Sequence, residues 1–167
     1  MKRILIIGCG GSGKTTLARR LGDALNLPVI HLDHFYWLPG HTRRPADQFI
    51  KLMVDACKQE RWIMEGASLR TLELRLPYAD TIIYLDIPRW RCLARIIMRF
   101  LQAPGKEGVF APGCRNILTR EFVSWVWHWR TRYHAFVLEK LAATGHARIV
   151  VVKTQEQLTS LIETLTS

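Results

Sequence analysis

Short apolar runs alternate along this chain with stretches whose apolar residues recur at helical spacing. Lys2 to Ile7 is rich in Ile and halts at a glycine cluster, which predicts a buried strand. Lys14 to Leu25 carries Leu17, Ala18, Leu21 and Leu25 on one face and predicts a helix. Pro28 to Leu32 predicts a second strand, and the aromatic, Pro- and Gly-punctuated stretch from Asp33 to Pro45 a loop. Ala46 to Gln59 predicts a helix with Phe49, Ile50, Met53 and Val54 turned inward. Trp62-Ile63-Met64 is a third strand that ends at Glu65-Gly66, and Leu69 to Leu76 a short helix stopped by Pro77. Thr81 to Leu85 makes a fourth strand, closed by Asp86-Ile87-Pro88. Trp90 to Leu101 predicts a helix that stacks Arg91, Arg95 and Arg99 at i, i+4 and i+8. Ala103 to Cys114 holds three Gly and two Pro and reads as a loop and candidate lid. Asn116 to Ala143 is largely helical, Ala147 to Val152 is a fifth strand, and Gln155 to Leu165 a terminal helix.

Strands alternating with helices point to an α/β fold, with a parallel sheet covered on both faces. There is no internal repeat, low-complexity tract or domain-sized linker, so residues 1–167 are expected to form a single domain.

Composition narrows the class. Hydrophobic residues make up 49% and charged residues 23%, as in ordinary globular chains. No apolar run approaches the ~20 residues of a membrane span, and the apolar start ends in glycines, not at a cleavage site, so the cytoplasm is expected. Cys9, Cys57, Cys92 and Cys114 are scattered without metal-type spacing and read as reduced, packed thiols. The net charge is +10, and 17 of the 24 basic residues are Arg. That bias suits bidentate phosphate contacts, a solvated basic surface or attraction to nucleic acid, and charge alone does not choose among them.

Chemistry concentrates at Gly8-Cys9-Gly10-Gly11-Ser12-Gly13-Lys14-Thr15, with Thr16 following. Gly8-x4-Gly13-Lys14-Thr15 fits the Walker A pattern and lies between a strand and a helix, where that mechanism requires it. Glycines let backbone N–H groups cradle phosphate oxygens, and the helix start adds its positive dipole end. Lys14 would reach the β- and γ-phosphates and the Thr15 hydroxyl would hold Mg²⁺, so ATP and Mg²⁺ are the expected cofactors. Gly8-x-Gly10-x-x-Gly13 also satisfies the dinucleotide fingerprint, with Asp33 where a ribose-binding acid would sit. Lys14-Thr15, idle in such a site, and the Arg column favour phosphoryl transfer.

The rest of the chain resembles the adenylate-kinase-related P-loop kinases, most closely the DNA topology modulation (FlaR-type) proteins. The resemblance runs almost end to end. It is carried by His31-Leu32-Asp33 leading into Tyr36-Trp37-Leu38-Pro39-Gly40, by Trp62-Ile63-Met64-Glu65-Gly66, and by Ala79 to Pro88 followed by Arg95 and Arg99. It implies a three-layer α/β/α, nucleoside-kinase-like fold with a five-stranded parallel sheet in the order 2-3-1-4-5. It also implies a substrate-side insert at about 33–60 and a short lid at about 103–115. The carboxylate helping to order Mg²⁺ would be Glu65, with Asp86 as the alternative. Arg95 would lie against ATP, Arg99 would bridge the transferred phosphoryl group, and Arg115 and Arg120 could supply lid cations. Lys153-Thr154-Gln155 would contact adenine.

Asp33 ends the second strand, and parallel sheets bind ligands outside the carboxyl ends of their strands. An Asp there suits an acceptor hydroxyl, whose proton it can take. By the resemblance Arg70 lies near a substrate-binding Arg, one residue out of register, and Arg43 or Arg44 could serve instead. Together they predict a small anionic phosphoryl acceptor. His31 and His34 beside Asp33 lack identifiable further zinc ligands. Trp125, Trp127 and Trp129 diverge by ~200° between i and i+2 on a helix, so packing is expected and not one base-stacking platform. The leading reading is a kinase acting on a small molecule. A nucleic-acid-associated ATP-binding protein, for which no DNA- or RNA-binding motif is found, and a nucleotide sensor are the alternatives.

Overall fold

The computed structural model describes residues 1–106 and 111–166. Residues 107–110 fall inside the candidate lid at 103–115 and lie outside the described residues. Among the described residues, seven strands and seven α-helices follow one another as β1 (Arg3–Gly8), α1 (Lys14–Leu25), β2 (Val29–His31), α2 (Leu32–Tyr36), β3 (Trp37–Leu38), β4 (Thr42–Arg43), α3 (Ala46–Cys57), β5 (Trp62–Glu65), α4 (Leu72–Arg75), β6 (Thr81–Leu85), α5 (Arg89–Gln102), α6 (Arg120–Ala142), β7 (Arg148–Val152) and α7 (Gln155–Thr166).

Five strands form one parallel sheet, ordered β2-β5-β1-β6-β7. Counting the strands of that sheet alone, this is the expected order 2-3-1-4-5. Period-two alternation along β1 builds the two faces of the core. Ile4 and Ile6 join the helix residues Leu17, Leu21, Ile96 and Leu158 on one side, while Leu5 and Ile7 join Phe49, Met53 and Leu72 on the other. Helices thus cover both faces, as a central strand buried throughout demands. Helix α6 serves both sides, giving Val126 and Trp129 to the first core and Val137 and Leu141 to the second.

Local departures from expectation have physical causes. The stretch Asp33–Pro45 is not all loop. Leu32 is buried and anchors the five-residue α2, and β3 pairs with β4 as a small antiparallel hairpin across Gly40, which adopts φ 75°. In α3 the inward face is Phe49, Met53, Ala56 and Cys57, which leaves Ile50 exposed and Val54 half-buried. Pro77 sits inside a 3₁₀ turn, Leu76–Tyr78, near whose start its missing N–H costs nothing. The long helix begins at Arg120 and not at Asn116, because the Thr119 hydroxyl accepts the Phe122 N–H at 3.2 Å as its cap.

Next to the hairpin, the described flank of the candidate lid is docked. The Gly40 N–H donates to the Gly113 carbonyl at 3.0 Å, and His41 Nε2 bonds the Arg115 carbonyl at 2.9 Å. Among the described residues no helix is long and apolar enough to cross a membrane.

Candidate functional site

Parallel strands deliver their carboxyl ends to one edge of the sheet. Register places His31 opposite Glu65, Glu65 opposite Ile6, and Gly8 opposite Leu85. The chain leaves β1 at Gly8 and turns through Gly13 into α1. Gly13 is the N-cap of that helix at φ 102°, with no side chain capping it. The first-turn N–H groups therefore stay open for an anion. The loop is pressed onto α5: a Cβ at Gly11 would stand 2.4 Å from the Cys92 carbonyl oxygen, at φ 74°. Phe122 and Trp125 of α6 close over Gly10. Ser12 is buried and its hydroxyl has no hydrogen-bond partner among the described residues. An uncapped helix start, a hydroxyl without a partner and glycines too crowded for side chains fit a phosphate chain.

Lys14 is 8% exposed and its Nζ donates to the Cys9 carbonyl at 2.8 Å, so the ammonium lies over the loop. Thr15 Oγ1 donates to Glu65 Oε1 at 3.1 Å, and Glu65 is 4% exposed. Hydroxyl and carboxylate side by side are the oxygen donors that a small hard cation such as Mg²⁺ takes. Asp86, the alternative acid, faces elsewhere: it lies 3.5 Å from Arg130 Nη2 and from His134 Nδ1, both on α6.

Burial alone would raise the Glu65 carboxyl. The His31 hydrogen bond, then the Lys14 charge, outweigh it and hold the group below the ordinary carboxylate range. Asp33 is half-buried and shifts the other way: burial first and the Glu65 charge second push it up to about 6, against Lys14, His31 and Arg99. Burial lowers Arg99, Asp33 opposes that shift, and the Arg99 Nε is buried without a hydrogen-bond partner. Arg95 donates to the Ser12 carbonyl at 3.0 Å and to Gln155 Oε1 at 2.7 Å, which ties the loop to the start of α7. The Lys153 N–H donates to Gln157 Oε1 at 2.8 Å within the candidate adenine segment.

The structure thus brings together Lys14, Thr15, Glu65, Asp33, Arg95 and Arg99. Arg70 is exposed, the exposed Arg43 lies 6.0 Å over the Trp37 ring, and the charges that act most on Asp33 are those of Glu65, Lys14, His31 and Arg99. Thr16 and Arg120 are exposed, Arg91 lies over the Trp90 ring, and the Arg44 Nε donates to the Phe35 carbonyl.

Sequence reasoning missed two members. His31, weighed only as a zinc ligand, bonds Glu65 through Nδ1 at 2.8 Å. Arg75 is fully buried; its Nε donates to the Thr71 carbonyl and another guanidinium nitrogen to Ser68, so it braces the turn after Gly66. Burial brings its pKa down to about 10. Its spacing of three from the buried Leu72 was the available signal.

The aromatic cluster is packing. Trp129 is 5% exposed in the core, Trp125 stands edge-on to it at 4.9 Å, and Trp127 is 41% exposed beneath Arg89.

With this geometry in place, similarity to known proteins becomes informative. No protein-family model matches the chain. An uncharacterized protein, YqaC of Bacillus subtilis (strain 168), is 32% identical over 126 residues, covering 74% of this chain and 70% of that protein. The chain belongs to the YqaC family. A shikimate kinase of Corynebacterium jeikeium (strain K411) is 30% identical over 98 residues, 51% of this chain and 53% of that kinase, so the match spans about half of the enzyme. In three dimensions this YqaC-family chain is similar to shikimate kinase from Acinetobacter baumannii in complex with shikimate. The TM-score is 0.63 at 15% identity, covering 99% of this chain and 90% of the other. The fold is that of a P-loop kinase of the shikimate kinase type.

Proposed function

We propose that this chain is an ATP-dependent phosphotransferase that moves the γ-phosphoryl group of Mg-ATP to a small anionic acceptor. The observation carrying this reading is the meeting of Lys14, Thr15, Glu65, Asp33 and Arg99 at the carboxyl edge of the sheet. Cation, magnesium-side carboxylate, acceptor-side acid and phosphoryl-side guanidinium then surround one place. In that assignment the loop from Gly8 to Thr16, with Gly10, Gly11 and Ser12, holds the phosphates. Thr15 and Glu65 hold Mg²⁺, which when bound draws charge off the β- and γ-phosphates. Arg95 and the Lys153 segment position the nucleotide. Asp33 accepts the proton of the attacking hydroxyl, and Arg99 stabilises the charge that spreads over the transferred group. Arg43, within an acceptor-side segment at 33–60 of a single domain, and Arg70 form the exposed cationic side of the acceptor path.

A small hydroxylated acid fits the Asp33 carboxyl with the Arg99 guanidinium acting on it, and shikimate, bound by the A. baumannii neighbour, heads the compounds to try. The narrower kinship to the topology modulation proteins belongs to this proposal too, resting on the segments from His31 to Arg99. The test is a screen of hydroxy acids, sugars and nucleotides for ATP-dependent phosphorylation, with Lys14→Ala as control. Transfer by the parent to at least one acceptor, lost in the variant, is the expected result. Binding of Mg-ATP with equal affinity by parent and Lys14→Ala would overturn the site.

A further inference from the structure

His31 carries more geometry than a neighbour of Asp33 needs. It closes β2, Glu65 closes β5, and the two residues stand opposite each other in a parallel pair. Their side chains therefore leave the sheet on the same face at its carboxyl edge. The ring Nδ1 lies 2.8 Å from Glu65 Oε1, and the side chains are only 15% and 5% exposed. Although His31 is the N-cap residue of α2, its ring makes no capping bond, so Nδ1 is committed to the carboxylate. The oxygen it binds is also the one that accepts the Thr15 hydroxyl at 3.1 Å. Two donors, one from α1 and one from β2, thus pin one oxygen of a side chain with three rotatable bonds. Against an ionised carboxylate, Nδ1 acts as the donor.

We propose that His31 is a positioning residue for the magnesium side of the nucleotide site. Its Nδ1–H holds the Glu65 carboxylate in one orientation beside Thr15, so the cation meets a preformed acceptor. This rests on the reading of Thr15 and Glu65 as the magnesium pair. His31 itself touches neither cation nor nucleotide. Partners of this kind orient the ligands they hold, and their loss costs about 10- to 100-fold in metal affinity.

The test is calorimetric titration of the full chain with ATP, once with saturating Mg²⁺ and once with a chelator, so that the magnesium-dependent gain in ATP affinity is the readout. His31→Asn places an amide N–H near the ring Nδ1, whereas His31→Gln places it near Nε2. His31→Leu keeps bulk without a donor. The gain should fall about 10-fold or more in the Leu and Gln variants, stay near parental in Asn, and leave metal-free ATP affinity unchanged throughout. A Leu or Gln variant with the full gain overturns the proposal, as does an Asn variant that loses as much as Gln. Should the Leu variant fail to fold, the contrast between the two amides decides. A parent with no magnesium-dependent gain, or a Glu65→Gln variant that keeps all of it, overturns the magnesium pair and this inference with it. Failure confined to the His31 series overturns the inference alone.

Discussion

Asp33 shows how much one residue's chemistry depends on where its neighbours fold. Burial and the Glu65 charge raise its carboxyl to about 6, well above an ordinary aspartate. An acid whose folded-state pKa is raised binds its proton more tightly in the native state than in the unfolded chain. Its contribution to stability is therefore greatest at low pH and falls as pH rises from about 4 to about 6. Asp33→Asn should accordingly melt higher than the parent at pH 8, with the difference closing toward pH 4, when thermal unfolding is followed without nucleotide. A melting difference that does not change with pH would remove Asp33 from the charge cluster. The same variant should lose most acceptor turnover, because an amide cannot take the hydroxyl proton. In the parent, turnover should fall as pH drops through about 6, where the carboxylate is protonated. Glu65, one strand away, is shifted in the opposite direction by the His31 hydrogen bond and Lys14. Neighbouring carboxyls pushed apart in this way mark distinct acid–base duties.

Helix α5 makes a comparable distinction among chemically identical residues. Arg91, Arg95 and Arg99 recur every four positions, yet each turn of the helix faces different surroundings. Arg91 lies over the Trp90 ring, Arg95 clamps the Ser12 carbonyl and Gln155, and Arg99 is half-buried under the influence of Asp33. Arg99→Ala should lower kcat by about 10²- to 10³-fold with ATP affinity little changed, since under the proposed function it removes a charge that acts on the transferred group. Arg91→Ala should alter kcat far less, because Arg91 lies over the Trp90 ring and is not among the charges that act most on Asp33. Steady-state kinetics on the identified acceptor would check both, and equal losses would mark the helix as a generic basic face. Within the same element, the close approach of Gly11 to the Cys92 carbonyl shows that α5 also sets the shape of the phosphate loop.

At the scale of the whole molecule, the proposed nucleotide site sits where the sheet, α1 and α5 converge, so ligand binding there would couple to global stability. Mg-ATP at 100 times its dissociation constant should stabilise the fold by about 2.7 kcal/mol, seen as a melting temperature several degrees higher. A chelator should remove most of that gain, and Lys14→Ala nearly all of it. Identical melting with and without Mg-ATP would contradict the site.

Much of this architecture was legible in the chain, because its signals are local. The phosphate loop needs glycines followed by Lys14 and Thr15 in a few consecutive positions, and strands such as Thr81–Leu85 betray themselves by continuous burial. Alternation of strand and helix then leaves little choice but a parallel sheet with covered faces. What escaped is nonlocal or cooperative. Strands β5 and β6 both flank β1, so whether Glu65 or Asp86 meets Thr15 depends on which side of β1 the Thr15 side chain faces, and the Thr15–Glu65 contact spans 50 residues. His31 gains its meaning only from β5 packing next to β2, across 34 residues. Ile50, expected inward, is exposed because helix rotation is set by what packs against the whole face, not by each residue's own polarity. The chain by itself therefore determined the strands of the main sheet, the helices that cover it and the glycine loop, though not α2 or the β3–β4 hairpin, because those signals are backbone preference and periodicity over a few residues. Tertiary structure alone decided which carboxylate, which arginine and which histidine share one site. Burial and charge act through space, and distance along the chain does not measure them.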